Sequence, residues 1–327
     1  MAKNKFTSFK YFYGIPHAHT AFSTGRGTPL EAFEYAKNNR LNFLAITDHN
    51  SHLAKELYTT NQLNSKWQTT LYMSEKFKKK NTNLIPIVGF ETKTAIYGDF
   101  NILNSNTYFT GIINNINLLA LWMINNPNSV ITINHPHKNI NLLDYNELLN
   151  KLITSIEVGN GSFPNKYVRH DKYYYSLLDK GWKLGAINGQ DNHRINFGDS
   201  ENLTVILAPT LNISNIIEAF RLRRTYSTES RTLKFYFTIN NTFMGDILPS
   251  SSNTLLFKIY ADDPKVKINQ IDIISNSGSL IKKIDNLHLN SIKYMYKHTR
   301  ELNETWYVVK VYQDNNRIAI SSPIFIS

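Results

Sequence analysis

Phe43-Leu44-Ala45-Ile46-Thr47-Asp48-His49 sets the pattern on which the chain is read: a short apolar run that ends in ionisable residues. A run of that length suits a strand buried on both faces, as in a parallel sheet covered by helices. The pattern recurs. Tyr11 to Pro16 runs into His17-Ala18-His19, Leu84 to Phe90 into Glu91, and Val130 to Asn134 into His135. Ser155 to Val158 carries Glu157 with Asn160 just beyond, Leu184 to Asn188 precedes Asp191-Asn192-His193, and Leu203 to Ala208 is a further apolar run. Helix-period segments lie between these runs. In the first, Thr28 can cap, Pro29 suits the first turn and Glu31 completes a capping box. Other helices are expected over His52 to Lys80, Asn117 to Asn125, Tyr145 to Leu152, Lys166 to Lys180 and Ser214 to Arg223. Seven parallel strands alternating with helices fit an α/β barrel.

Past Arg231 the period changes to two, with Leu233, Phe235 and Phe237, then Leu255, Phe257 and Ile259, broken by Asn, Ser, Gly and Pro clusters. The expected organisation is therefore a barrel over 1–231 and a small antiparallel, sandwich-like β domain over 232–327. The β domain shows no cluster of catalytic groups and reads as a structural cap or oligomer contact.

The chain has 327 residues, 42% of them hydrophobic, which is globular composition. It has no cysteine, so thiolate metal sites, iron–sulfur clusters and cysteine nucleophiles are excluded and any metal must sit on His, Asp and Glu. No apolar stretch is long enough to span a bilayer, and nothing points to a membrane partner. Met1 to Lys10 carries Lys3, Lys5 and Lys10 without an apolar core or cleavage site, so a cytoplasmic protein is expected. The net charge of +11 invites an anionic partner, either a phosphorylated small molecule or nucleic acid. The Lys78 to Lys80 run reads as a solvated helix end.

In a parallel barrel the C-terminal strand ends share one rim, where loops from different strands build a site. His17 and His19, spaced i and i+2 at a strand end, can aim two imidazoles at one ion. Glu91 can bridge two cations, since each carboxylate oxygen can serve one. His135 is fixed by Pro136, with His137 beyond it at the surface, and Asp48-His49 and Asp191-Asn192-His193 repeat an acid–imidazole pairing on the same rim.

His17-Ala18-His19-Thr20, Ile46-Thr47-Asp48-His49-Asn50, Gly89-Phe90-Glu91, Asn134-His135-Pro136 and Gln190-Asp191-Asn192-His193 together resemble the PHP superfamily, named for polymerase and histidinol phosphatase. The resemblance covers residues 14 to about 230. Within it, Ser23 to Pro29, Trp182 to His193 and the stretch from Glu218 to Thr228, followed by a β tail, look like the branch typified by carbaryl hydrolase (CehA/McbA-like). The resemblance implies a distorted seven-stranded β/α barrel that binds one to three divalent ions (Mn, Fe or Zn) and hydrolyses phosphoesters or, in some members, carbamates. Carried over by motif, His17, His19, Glu91 and Asp191 hold the first ion, Glu91 and His135 the second, and His49 and His193 face a third. Two positions depart from the family. Asp99 stands where an imidazole is common and would ligate the second ion through oxygen, and Gly25 stands where larger phosphatases have His, which weakens the third site.

Ions so held acidify water for attack at neutral pH. Asp48, His49 and His193 are the candidates for proton transfer, and Arg26, Lys138, Arg194 and Arg224 for gripping an anionic group. The reading favoured by charge is a phosphoesterase acting on a small phosphorylated molecule or nucleotide end. The alternatives are a carbamate, ester or amide hydrolase with the same ions, and a catalytically idle binding protein. Against a dedicated nucleic-acid reader, there is no RNP, OB or helix-turn-helix signature.

Overall fold

The computed structural model describes residues 9–59, 62–251 and 253–327; residues 1–8, on which most of the reading of the N-terminus rests, lie outside the described residues. The first part runs β1 (Lys10–Ile15), α1 (Pro29–Asn38), β2 (Phe43–Ile46), β3 (Glu56–Thr59), β4 (Gln62–Ser65), α2 (Lys66–Lys78), β5 (Ile85–Lys93), β6 (Asp99–Leu103), α3 (Asn117–Ile124), β7 (Val130–Ile133), α4 (Glu147–Leu152), β8 (Ile153–Asn160), β9 (Val168–Arg169), α5 (Asp171–Asp179), β10 (Gly185–Gly189), β11 (Leu203–Ala208), α6 (Ile213–Arg221) and β12 (Thr225–Thr228). The Thr28/Glu31 capping box forms as the sequence suggests. The helix expected from His52 does not: β3 and β4 form a hairpin, and the helix starts only at Lys66, where Ser65 and Gln68 make a capping box of their own. The helix expected from Lys166 likewise starts at Asp171, after the short strand β9.

The expected closed barrel of parallel strands is corrected to an open, curled sheet of mixed direction. β1, β2 and β5 pair in parallel, as do β7, β8 and β10. Between them β6 is antiparallel to both β5 and β7, because a tight turn closed by Thr94 N–H donating to the Gly98 carbonyl reverses the chain after β5. β11 then returns antiparallel beside β1 and hands the sheet on to β12. No ladder joins β10 back to β1. The two sides meet through an isolated bridge between Ala18 and Asn192, and below it through side chains: Thr204 Oγ1 donates to the Asn188 carbonyl (2.9 Å) and Thr225 Oγ1 to the Ala186 carbonyl (3.0 Å).

Phe12, Phe43, Ile87, Leu103, Val130 and Ile206 fill the end of the curled sheet away from the rim, against Ile216 and Phe220 of α6. The outer faces of β5 to β8 pack on α3, α4 and α5 through a second cluster that includes Phe90, Phe100, Ile133, Leu149 and Leu177. An apolar floor thus lies beneath the strand ends that carry the ionisable residues.

The remaining strands are β13 (Lys234–Ile239), β14 (Thr242–Phe243), β15 (Ile247–Leu248), β16 (Thr254–Asp262), β17 (Ile268–Ser275), β18 (Ser279–Ile284), β19 (Ser291–Thr299), β20 (Trp306–Gln313), β21 (Ile318–Ser321) and β22 (Ile324–Ile326). β21 pairs with β12, so β21, β20, β17 and β18 continue the same sheet, while β14, β13, β16 and β19 form a second one. The core between them holds Phe235, Phe237, Phe257, Ile271, Tyr307 and Val309. β16 shows the alternation of a strand buried on one face. Among the described residues no helix is long and apolar enough to cross a membrane.

Candidate metal centre

Backbone pairing at the rim puts the candidate ligands on one patch. Thr47 N–H donates to the Ala18 carbonyl and Asp191 N–H to the His17 carbonyl (3.0 Å), so the His17–His19 segment is clamped between the ends of β2 and β10. His17 and His19, one pleat apart, then face the same way. Their Nε2 atoms lie 3.1 Å apart. His17 Nε2 is 3.4 Å from Glu91 Oε1 and 3.3 Å from Asp191 Oδ1, and His19 Nε2 is 3.2 Å from Glu91 Oε2 and 3.1 Å from Asp191 Oδ1. Two donors on one tetrahedral ion with bonds of about 2.1 Å sit about 3.4 Å apart, so these spacings are those of ligands around a common centre. Asp191 Oδ1 is buried and makes no hydrogen bond among the described residues, a cost that a cation would relieve.

Two more groups share this centre. His135 Nε2 reaches Glu91 Oε1 at 3.2 Å, giving His17, Glu91 and His135 as a second possible ligand set. His19, His49 and His193 form a third, with the His19 ring 4.5 Å from that of His49 and 4.6 Å from that of His193. His49 Nδ1 also lies 3.0 Å from Glu91 Oε2, so Glu91 touches every set through one oxygen or the other.

A second layer aims these ligands. Glu157, fully buried, faces His17 Nδ1 with Oε1 (2.8 Å), while Oε2 accepts from His135 N–H (2.6 Å) and Asn160 Nδ2 (2.7 Å). That carboxylate fixes a proton on His17 Nδ1 and leaves the Nε2 lone pair for an ion. The sequence places Glu157 on the rim but gives no further reason to single it out; its position three residues before the end of β8 is the only signal. Ser23 Oγ lies 3.2 Å from His19 Nδ1 and donates in turn to Asp48. His135 and Asp191 both adopt positive φ (23° and 49°), a conformation that costs non-glycine residues energy and is held here by those hydrogen bonds to their N–H groups.

Burial alone would lower the imidazole pKa values. For His17 the carboxylates of Asp191, Glu157 and Glu91 outweigh it and hold the ring well above its ordinary value, and for His19 the neighbouring carboxylates of Asp191 and Glu91 raise it to about 9. Glu91 and Asp191 are held low by the same partners in spite of their burial. Protons thus occupy the centre whenever a cation does not. An ion binding at pH 7 must displace them, so affinity should climb as pH rises from 7 towards about 9. Calorimetric titration of the metal-free protein in two buffers of different ionisation enthalpy checks this: the heats should differ between buffers at pH 7.

Several residues marked in the sequence stand elsewhere. Asp48 does not face the centre: its oxygens accept from Thr20 N–H (2.8 Å), Thr20 Oγ1 (2.5 Å) and Ser23 Oγ, so it holds the loop of His19 rather than moving a proton. Asp99 joins none of the ligand groups, because the β5–β6 register sets Asn101 opposite Glu91 and Asp99 a pleat further on, opposite Lys93. Burial, and then the nearby Glu91 charge, raise its pKa. Asp99→Ala should accordingly leave bound metal within about twofold of wild type, a change too small to reflect a lost ligand. Arg224 precedes β12 at the opposite end of the sheet, over the Phe9 ring and 3.9 Å from Asp246. Arg26, Lys138 and Arg194 are exposed on the rim loops. Gly25 leaves no room for a side chain, since a Cβ there would press on the His19 backbone.

No protein-family model matches the chain, and no curated protein matches it. Among solved structures, PsfC from Pseudomonas syringae is similar over 66% of this chain and 90% of its own at 13% identity and a TM-score of 0.44, and an amidohydrolase from Chromobacterium violaceum over 64% and 95% at 12% and 0.38. A two-domain protein from Bacteroides vulgatus containing a predicted PHP-like metal-dependent phosphoesterase is similar over 98% of this chain and 96% of its own, at 14% identity and a TM-score of 0.55. At that identity the likeness is one of fold: along nearly its whole length, this chain shares the fold of a PHP-like two-domain protein.

Proposed function

We propose that this chain is a metal-dependent hydrolase acting on phosphoesters of a small molecule or nucleotide end, with residues 1–231 carrying the chemistry. The observation that carries the reading is the convergence of His17, His19, Glu91 and Asp191 at ligand-to-ligand spacing around an otherwise unpaired buried oxygen. The mixed imidazole and carboxylate set suits manganese, iron(II) or zinc, and such an ion supplies Lewis acidity and acidifies water.

The chain's own groups do the rest. His193 Nδ1 donates to the Asp191 carbonyl (2.9 Å), which leaves Nε2 unprotonated. Burial, and then the neighbouring His19, lower its pKa, so His193 is neutral at pH 7 and able to accept a proton or to ligate. His49, on the other side of His19, is the second candidate for that work. Arg26, Lys138 and Arg194 are exposed on loops that follow strand ends, and their positive charge would favour anionic substrates over neutral ones.

Turnover of phosphoesters is expected to exceed that of carboxyl esters and carbamates, with substrate affinity falling as salt rises. Metal analysis of the purified protein and a panel of phosphomonoesters, phosphodiesters, carboxyl esters and carbamates test this directly. Faster cleavage of a neutral ester or carbamate than of every phosphate compound would replace the phosphoester reading with a carboxyl or carbamoyl one. Full activity in a metal-free protein would remove the metal reading altogether.

A further inference from the structure

Residues 100–134 contain no Asp, Glu, Lys or Arg, in a chain where 19% of residues are charged. This segment includes α3, whose outward side is as apolar as its inward one. Leu118, Leu121 and Ile124 are 52%, 62% and 72% exposed, and Ile112, just before the helix, is 61% exposed. A helix that is hydrophobic all round belongs in a core, yet this one lies on the surface. Beneath Ile112 and Leu118 opens a cavity of about 270 Å³, walled by Phe109, Ile113, Leu119 and Trp122.

The segment that walls the cavity is tied by hydrogen bonds to the segments that carry His49 and Glu91. Asn50, the residue after His49, donates through Nδ2 to the Gly111 carbonyl (2.9 Å) and to Thr92 Oγ1 (3.1 Å). Ile113 N–H donates to the Lys93 carbonyl, two residues after Glu91, and Ala95 N–H to the Ile113 carbonyl. Ile113, which walls the cavity, is therefore tied to the strand end that carries Glu91. Exposed Ile96 at the tip of the β5–β6 turn extends the apolar ridge, and exposed Lys93 and Lys138 stand on the rim.

We infer that the face formed by Ile96, Ile112, Leu118, Leu121 and Ile124 seats the protein on an anionic lipid surface, and that the cavity beside it takes an acyl chain. The substrate of the neighbouring site is then a phosphorylated amphiphile, an extension that rests on the phosphoesterase reading. Charge decides between occupants. The ridge carries no charge of its own, is flanked by lysines and belongs to a chain of net charge +11, which is drawn to an anionic bilayer and repelled by a second copy of itself. An interfacial seat needs no spanning segment, so the absence of one, from which no membrane partner was expected, does not bear on it.

The absence of native cysteine makes the test clean. Leu121→Cys labelled with an environment-sensitive fluorophore should shift to the blue on vesicles of phosphatidylcholine with phosphatidylglycerol and stay unshifted on phosphatidylcholine alone. The same label at Lys297→Cys, on the exposed side of β19, should not respond. In sedimentation with the mixed vesicles, Leu118→Asn should bind at least about tenfold more weakly and Lys93→Gln about fivefold more weakly. Both sites are exposed, so the thermal midpoints should match wild type. Asp191→Ala should bind vesicles as wild type does, which separates the fate of this inference from that of the metal reading. A long-chain phosphomonoester should be turned over at least about tenfold faster than its short-chain counterpart, a preference Leu118→Asn loses. Equal responses of the two labels, no binding to anionic vesicles, or concentration-dependent dimers broken by Leu118→Asn would overturn the inference.

Discussion

Asp191→Ala should yield a folded protein that carries little metal and turns over no substrate above background, a fall in kcat/KM of at least about a thousandfold. Among the described residues Asp191 Oδ1 is the only carboxylate oxygen within 3.3 Å of both His17 and His19 Nε2, since Glu91 reaches the two through different oxygens. Removing it leaves two imidazoles and Glu91, a set that no longer closes around the ion. Asp191→Asn separates charge from shape: it keeps an oxygen in place but is a weaker ligand, so excess metal should restore part of its activity and none of that of the Ala variant. The protons left behind also change. With one carboxylate gone, the partners that hold the two imidazoles up are fewer, and both rings should titrate lower in the metal-free variant. NMR titration of the histidines reads that shift, and unchanged metal content with unchanged ring titration would show that Asp191 is not at the centre.

His17, His19, Glu91, His135 and Asp191 were legible because each follows an apolar run, and an ionisable residue at a strand end is conspicuous against it. The same local pattern misleads at Asp48. It marks where a strand stops but not where a side chain points, and Thr20 and Ser23 claim that carboxylate. The place of Asp99 relative to Glu91 was hidden for a related reason: it is set by the β5–β6 register, and β6, interrupted by Asn101, does not read as a strand at all. Strand direction was equally hidden. A run buried on both faces is the same whether it is parallel or antiparallel, so β11 and β12 carry no mark of the reversal that leaves the sheet open. Arg224 illustrates the consequence, since the direction of β12 sends it to the far end of the sheet. The hairpin of β3 and β4 lay inside a stretch read as helix, where only the second capping signal, at Ser65 and Gln68, marked the true start.

Glu157→Gln should lower metal affinity by about ten- to a hundredfold while leaving the ligands themselves intact. The carboxylate accepts on both sides, from His17 Nδ1 through Oε1 and from His135 N–H and Asn160 Nδ2 through Oε2. An amide can accept on only one. If its oxygen faces His135 and Asn160, its NH2 donates to His17 Nδ1, the ring proton moves to Nε2, and the lone pair meant for the ion is lost. If it is turned over, three donors crowd together and His135, already at a φ of 23°, loses the bond that holds it there. Excess metal should therefore rescue Glu157→Gln, as it cannot rescue Asp191→Ala, and kcat at saturating metal should return to within severalfold of wild type. A second variant reaches the same group from the other side. Gly189 packs so closely on Glu157 that a Cβ would overlap the carboxylate, and Gly189→Ala should push it off His17 with no change in any ligand or charge. The two variants should then share one phenotype, weakened metal binding that excess metal restores; normal metal affinity in both would reduce Glu157 to a packing residue of the strand.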